Sequence, residues 1–189
     1  MVFCYNFSYR GDELREGFEK DPNICIQHED GKGEVVIMAE VYMNNEGEYG
    51  KYIIQDLQAP ANGTPEFQEM YKKFSNRILW IDNNVCPGAF QMNTAWYYAV
   101  PEKDPVFEEH SHDSDELIGF FGCDPEDPYN LNAEIEVTIN GERHLLTKSS
   151  LIFAPAGMPH MRISIKRVDK PMFHFSVVKS GIYDGTSYK

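Results

Sequence analysis

His110-Ser111-His112-Asp113-Ser114-Asp115-Glu116, followed further on by Pro155-Ala156-Gly157-Met158-Pro159-His160, decides how this 189-residue chain is read. On a strand, residues i and i+2 share a face, so His110 and His112 can present two imidazoles side by side. The residues after His112 allow a turn, from which Glu116 returns on the neighbouring strand. Pro155 and Gly157 mark a second tight turn, and His160 opens the strand that follows. Two imidazoles and a carboxylate, with a third imidazole from His160, suit iron, manganese, nickel, cobalt or zinc.

Outward from these motifs the pattern is one of short strands. Alternating or β-rich runs at 35–43, 77–81, 90–100, 106–112, 116–122, 134–140, 142–148, 151–154, 160–165 and 172–178 are each bounded by turn residues. Asn140-Gly141, between Ile135-x-Val137-x-Ile139 and His144 to Leu146, is the strongest hairpin signal. Pro87-Gly88 marks another turn. Residues 123–133 carry two prolines and three acids and read as an irregular loop. Two helices are expected. At 64–74, Thr64 serves as N-cap, Pro65 takes the first helical position, and Phe67, Met70, Tyr71 and Phe74 share a face. Residues 11–20 make a weaker case. Many short antiparallel strands at this spacing indicate a sandwich or barrel.

The two motifs together resemble those of the cupin superfamily. Its first motif is H-x-H, three or four residues, E and a later glycine, here His110, His112, Glu116 and Gly122. Its second is P-x-G-x-x-H, here Pro155, Gly157 and His160. The segment from Arg77 to Phe175 is similar to single-domain bacterial cupin-domain proteins. The resemblance implies an all-β double-stranded β-helix (a jelly-roll barrel) with short N-terminal helices. It places an N-terminal extension at 1–75, the cupin domain at 76–178 and a tail at 179–189. It also implies one divalent transition metal on His110, His112, Glu116 and His160, and a homodimer. Three positions depart from the pattern: Gly122 comes one residue early, Ser149 stands where a glycine often precedes the second motif, and Ser164 replaces a frequent asparagine.

Composition narrows the partners. With 17 Lys and Arg against 30 Asp and Glu, the formal charge is −13, which argues against nucleic acid because binding it rests on clustered bases. Residues 101–136 hold 12 acids and 1 base, whereas residues 137–189 hold 3 acids and 8 bases. The acidic block surrounds the proposed ligands, so it should favour a divalent cation and raise the histidine pKa values. No apolar run approaches the ~18 residues of a membrane span. Cys4, Cys25, Cys86 and Cys123 form no C-x-x-C pair, and free thiols in the cytoplasm are the expectation.

A small organic molecule is the expected substrate. Strand parity from His160 turns Arg162 and Ser164 toward the cavity, where Arg162 would hold an anionic group, unless a bulge shifts the register and leaves Arg162 a surface base. Parity from Glu116 does the same for Ile118 and Phe120. His174, between Phe173 and Phe175, is a further pocket candidate, although a histidine between aromatics also suits a core. Gln91 and Asn93 either line the pocket or face solvent. Three histidines and a glutamate leave coordination positions open, as catalytic metal sites require. The expected function is a metal-dependent enzyme, either dioxygenase-like or an isomerase or lyase in which Glu116 moves a proton. The alternative is a non-catalytic module that binds a metal or a small molecule.

Overall fold

The structure, a computed structural model, describes residues 3–5, 24–26, 37–39, 48–58 and 64–181. The chain divides into two compact units, Met1–Ile53 and Ile54–Lys189. In the first, β1 (Phe3–Tyr5), β2 (Ile24–Ile26) and β3 (Ile37–Ala39) form an antiparallel sheet in the order β1-β3-β2. Only β3 falls within a run the sequence marked as a strand. The helix expected at 11–20 lies outside the described residues.

The second unit begins with the helix α1 (Pro65–Phe74), and its end signals act as read: the Thr64 hydroxyl accepts from the Phe67 N–H at 3.2 Å. Glu66 in the first turn and Lys72 and Lys73 in the last suit the helix dipole. Tyr71 and Phe74 are buried, Phe74 meeting Tyr97 edge-on with ring centroids 5.6 Å apart. The compact unit that holds α1 and the strands after it begins at Ile54.

Eight strands follow: β4 (Ser75–Ile81), β5 (Gln91–Tyr97), β6 (Glu116–Gly122), β7 (Asn130–Ile139), β8 (Glu142–Lys148), β9 (Ser150–Ala154), β10 (Arg162–Val168) and β11 (Met172–Val178). They form a five-stranded sheet, β4-β5-β11-β6-β9, and a three-stranded sheet, β10-β7-β8. Non-sequential strands lie side by side in both, as in a double-stranded β-helix. The run at 106–112 is no regular strand, but two bridges, Phe107 to Ile163 and His110 to His160, lay it along the free edge of β10. Residues 180 and 181, assigned to a tail, still pair with the domain: the Ser180 and Gly181 carbonyls accept from Gln91 and Asn83.

The core lies between the two sheets. Ile118, Phe120 and Ile152 come from one, and Leu131, Ala133, Ile135, Val137, Ile163 and Ile165 from the other. Burial on β5 alternates residue by residue, with Gln91, Asn93, Ala95 and Tyr97 inward. The β7–β8 hairpin turns on Asn140 (φ 48°) and Gly141 (φ 81°), the two positive angles a two-residue loop of this kind needs. Gly122 has a different reason for being glycine, since a Cβ there would stand 2.0 Å from the Asn130 carbonyl oxygen. Ser149, one of the departures from the motif, supplies a hydroxyl that accepts from the Gly122 N–H and donates to the Pro128 carbonyl.

Candidate metal centre

The proposed ligands reach one place from three directions. Glu116 opens β6 and points inward in the same row as Gln91, Val178 and Ala154. His110 sits opposite His160, each backbone N–H donating to the other's carbonyl at 3.0 and 2.8 Å. The intervening turns are tied together. The Gly157 N–H donates to the His112 carbonyl at 2.8 Å, and the Ala156 N–H to the Asp115 carboxylate at 3.1 Å. Gly157, at φ 79°, takes the left-handed angle that brings its N–H to this carbonyl.

One ligand atom from each of His110, His112, Glu116 and His160 lies within 4.8 Å of the others. Glu116 and His160 are buried, and His110 and His112 are half-buried. Glu116 Oε2 stands 2.9 Å from His160 Nε2 and 3.1 Å from His112 Nε2. Burial alone would push the Glu116 carboxyl up, but the hydrogen bonds from His160 and His112 outweigh it and hold the group below its ordinary value. The acidic surroundings act unevenly on the histidines. For His160, burial pulls down, yet its bonds to Glu116 and to the Met158 carbonyl leave it raised. For His110, burial dominates and the value falls, contrary to the uniform rise expected from charge alone.

The donor set fits a divalent transition metal. His160 Nδ1 lies 2.6 Å from the Met158 carbonyl and His110 Nδ1 lies 3.2 Å from that of Glu108, which assigns the Nδ1 proton and leaves each Nε2 for a metal. His160 then faces an acceptor with both ring nitrogens, so a positive charge at Nε2 is called for. A metal ion bound at Nε2 would meet that demand in place of a proton.

The other candidates divide. Phe120 and Ile118 face the interior as parity required, and both are fully buried. His174 is interior too, but Phe120 and His174 are packing groups two inward-facing positions from Glu116, not walls of the metal centre. His174 is stacked between Phe120 and Tyr97 at centroid distances of 4.8 and 4.9 Å. Its Nδ1–H donates to the Gly119 carbonyl at 3.1 Å, and full burial pushes its pKa down to about 4.

Arg162 and Ser164 do not face the cavity. Met161 takes φ 65°, a left-handed angle that breaks the alternation, so Ile163 and not Arg162 turns inward, opposite Val137. Arg162 is exposed. Ser164 is buried beneath Asp104, whose carboxylate it and Lys166 bond and hold below the usual range, with Arg162 adding its charge. A left-handed methionine carries no sequence signal, which is why parity failed here. On β5 the open question closes: Gln91 and Asn93 both face inward and are 1% and 9% exposed. Arg77, which the sequence did not single out, pairs with the inward Ala95 and lies over the Tyr71 and Trp80 rings. An open depression of about 430 Å³ lined by Asn76, Trp96, Tyr98, Cys123 and Pro171 lies away from the four donors and contains none of these residues.

No protein-family model matches the sequence, and neither does any curated protein. Several solved structures are similar to it. An oxalate oxidase in complex with glycolate shares 16% identity over 84% of this chain and 74% of its own, with a TM-score of 0.43. An RmlC-like cupin from Shewanella frigidimarina shares 14% over 48% and 67%, with a TM-score of 0.32. KdgF from Halomonas sp. shares 16% over 58% and 79%, with a TM-score of 0.34.

Proposed function

We propose that this chain, a cupin by its fold and its four-residue ligand set, binds one divalent transition metal and acts as a metal-dependent enzyme on a small organic molecule. The convergence of His110, His112, Glu116 and His160 within 4.8 Å carries the reading. A metal held there would supply Lewis acidity, and with a redox-active ion a site for oxygen. The protein's own part is to orient the imidazoles through the Glu108 and Met158 carbonyls and to keep Glu116 ionised beside two histidines. Glu116 is the one carboxylate among the four and the group placed to move a proton between bound atoms. Dioxygenase-like cleavage and isomerase- or lyase-like chemistry both use this arrangement.

The test is metal analysis of the purified protein beside a His112→Ala/His160→Ala variant, followed by turnover with and without oxygen. About one metal ion per chain in the parent and a large loss in the variant are expected. Equal metal content in the two would remove the assignment. An absolute need for oxygen selects the oxidative branch, and full anaerobic turnover selects the other. Metal bound without turnover of any small molecule would leave the non-catalytic alternative.

A further inference from the structure

The inner face of β4 and β5 carries polar groups that the fold itself does not satisfy. Gln91 Oε1, Asn93 Oδ1 and Arg77 Nε are all shielded from solvent and have no hydrogen-bond partner. A buried amide oxygen without a donor costs about 1–3 kcal/mol, and most buried polar groups in native proteins are paired. Two such amides on one strand, beside a guanidinium that forms no ion pair among the described residues, call for a partner from outside the chain, either ordered water or a bound ligand.

Their positions say what that partner looks like. Gln91 lies in the same inward row as the ligand Glu116, with Val178 between them, which sets the two backbones roughly 10 Å apart across two strand spacings. Asn93 is the next inward residue, level with Trp80. The Arg77 backbone pairs with Ala95, the inward residue after Asn93, and its guanidinium lies 5.4 Å from the centre of the Tyr71 ring and 5.5 Å from that of Trp80. Running from the metal end inward, the strip thus reads amide, amide, guanidinium. A hydroxyl both donates and accepts, so it satisfies a side-chain amide in either orientation. A carboxylate is the natural complement of a guanidinium held between rings.

We infer that Arg77, Gln91 and Asn93 form a binding strip for a polyhydroxylated carboxylate, with the carboxylate on Arg77 and hydroxyls on Asn93 and Gln91 leading toward the metal. The inference deepens the proposed function by naming the substrate class of the same site, yet its contacts come from residues outside the ligand set. It also moves the anion-holding role expected of Arg162 to Arg77, the cation that does face inward.

The experiment is calorimetric titration of the metal-loaded protein with three matched series: glycerate, threonate and gluconate; propionate, butyrate and hexanoate; glycerol, erythritol and sorbitol. Metal content is measured first on every protein, so a chain without metal defeats the earlier reading alone, and the strip is then judged on the metal-free protein by the same titrations. At least one polyhydroxy acid should bind ten-fold or more tightly than both its deoxy acid and its polyol. Asn93→Leu should abolish the advantage over the deoxy acid, and Arg77→Met the advantage over the polyol, both with metal content unchanged. Arg77→Lys should restore part of the latter, and it serves in place of Arg77→Met if that variant does not fold. Absence of the preference in the parent protein, as when bound water alone satisfies the strip, overturns the inference. So does its survival in both variants.

Discussion

His174 offers a measurement on one side chain. The unfolded chain binds a proton on this imidazole below about pH 6.5, whereas in the folded protein burial delays protonation to about pH 4. Between those values the unfolded state holds the extra proton, so stability is complete above the upper value and drains away as the pH falls toward the lower. At ~1.4 kcal/mol per pH unit the full loss is about 3 kcal/mol, of which roughly 2 kcal/mol falls between about pH 7 and pH 4.5. His174→Phe keeps an aromatic ring between Phe120 and Tyr97 and removes the titration. It also removes the donor to the Gly119 carbonyl, a cost that does not vary with pH. Urea unfolding of both proteins in chelator, at steps from about pH 7.5 to 4.5, gives two stability curves. The candidate ligand histidines contribute equally to both and cancel in the difference. The gap between parent and variant should close, or reverse, by roughly 2 kcal/mol as the pH falls. Parallel curves would refute the assignment of His174 as a neutral core group.

Other outcomes follow from geometry. Gly122→Ala sets a methyl group against the Asn130 carbonyl, with backbone on both sides of the contact. A loss of about 2–4 kcal/mol in urea unfolding is expected, and one below ~1 kcal/mol would show that the strands can part. Arg162→Ala removes an exposed side chain outside the cavity and should leave metal content and ligand affinity as they were. A fall in either would return Arg162 to the site. The homodimer implied by the resemblance has a candidate surface on the outer face of β6 and β9, where Leu151 and Phe153 are each 60% exposed and Leu117 is 36% exposed. Light scattering after size exclusion should give twice the 21.8 kDa chain mass, and Leu151→Glu/Phe153→Glu should give the monomer. A monomeric parent, or a dimeric variant, would move or remove that interface.

Much of the site was legible because metal binding demands particular residue types at particular spacings. His110, His112, Glu116 and His160 could be named from two motifs, and the Asn140-Gly141 turn from the backbone angles such a loop needs. The Thr64-Pro65 helix start was equally local, since a cap is satisfied within one turn. Strand parity served where alternation was unbroken, as from Glu116 to Phe120, and failed at Met161, where one left-handed residue reverses every side chain after it.

The sequence by itself marked the strands β4 to β11, though not β1 or β2, and with them the sandwich class and the four candidate donors, because these rest on local periodicity and on side-chain chemistry. Only the tertiary structure decided which polar groups share the interior with those donors. Arg77, Gln91 and Asn93 become neighbours through the β4–β5 register, Glu116 joins the Gln91 row through β11, and Arg162 is turned away by a backbone angle. Each of these depends on which strands pair and in which register, and pairing between segments distant in the chain leaves no mark on the residues of either one alone.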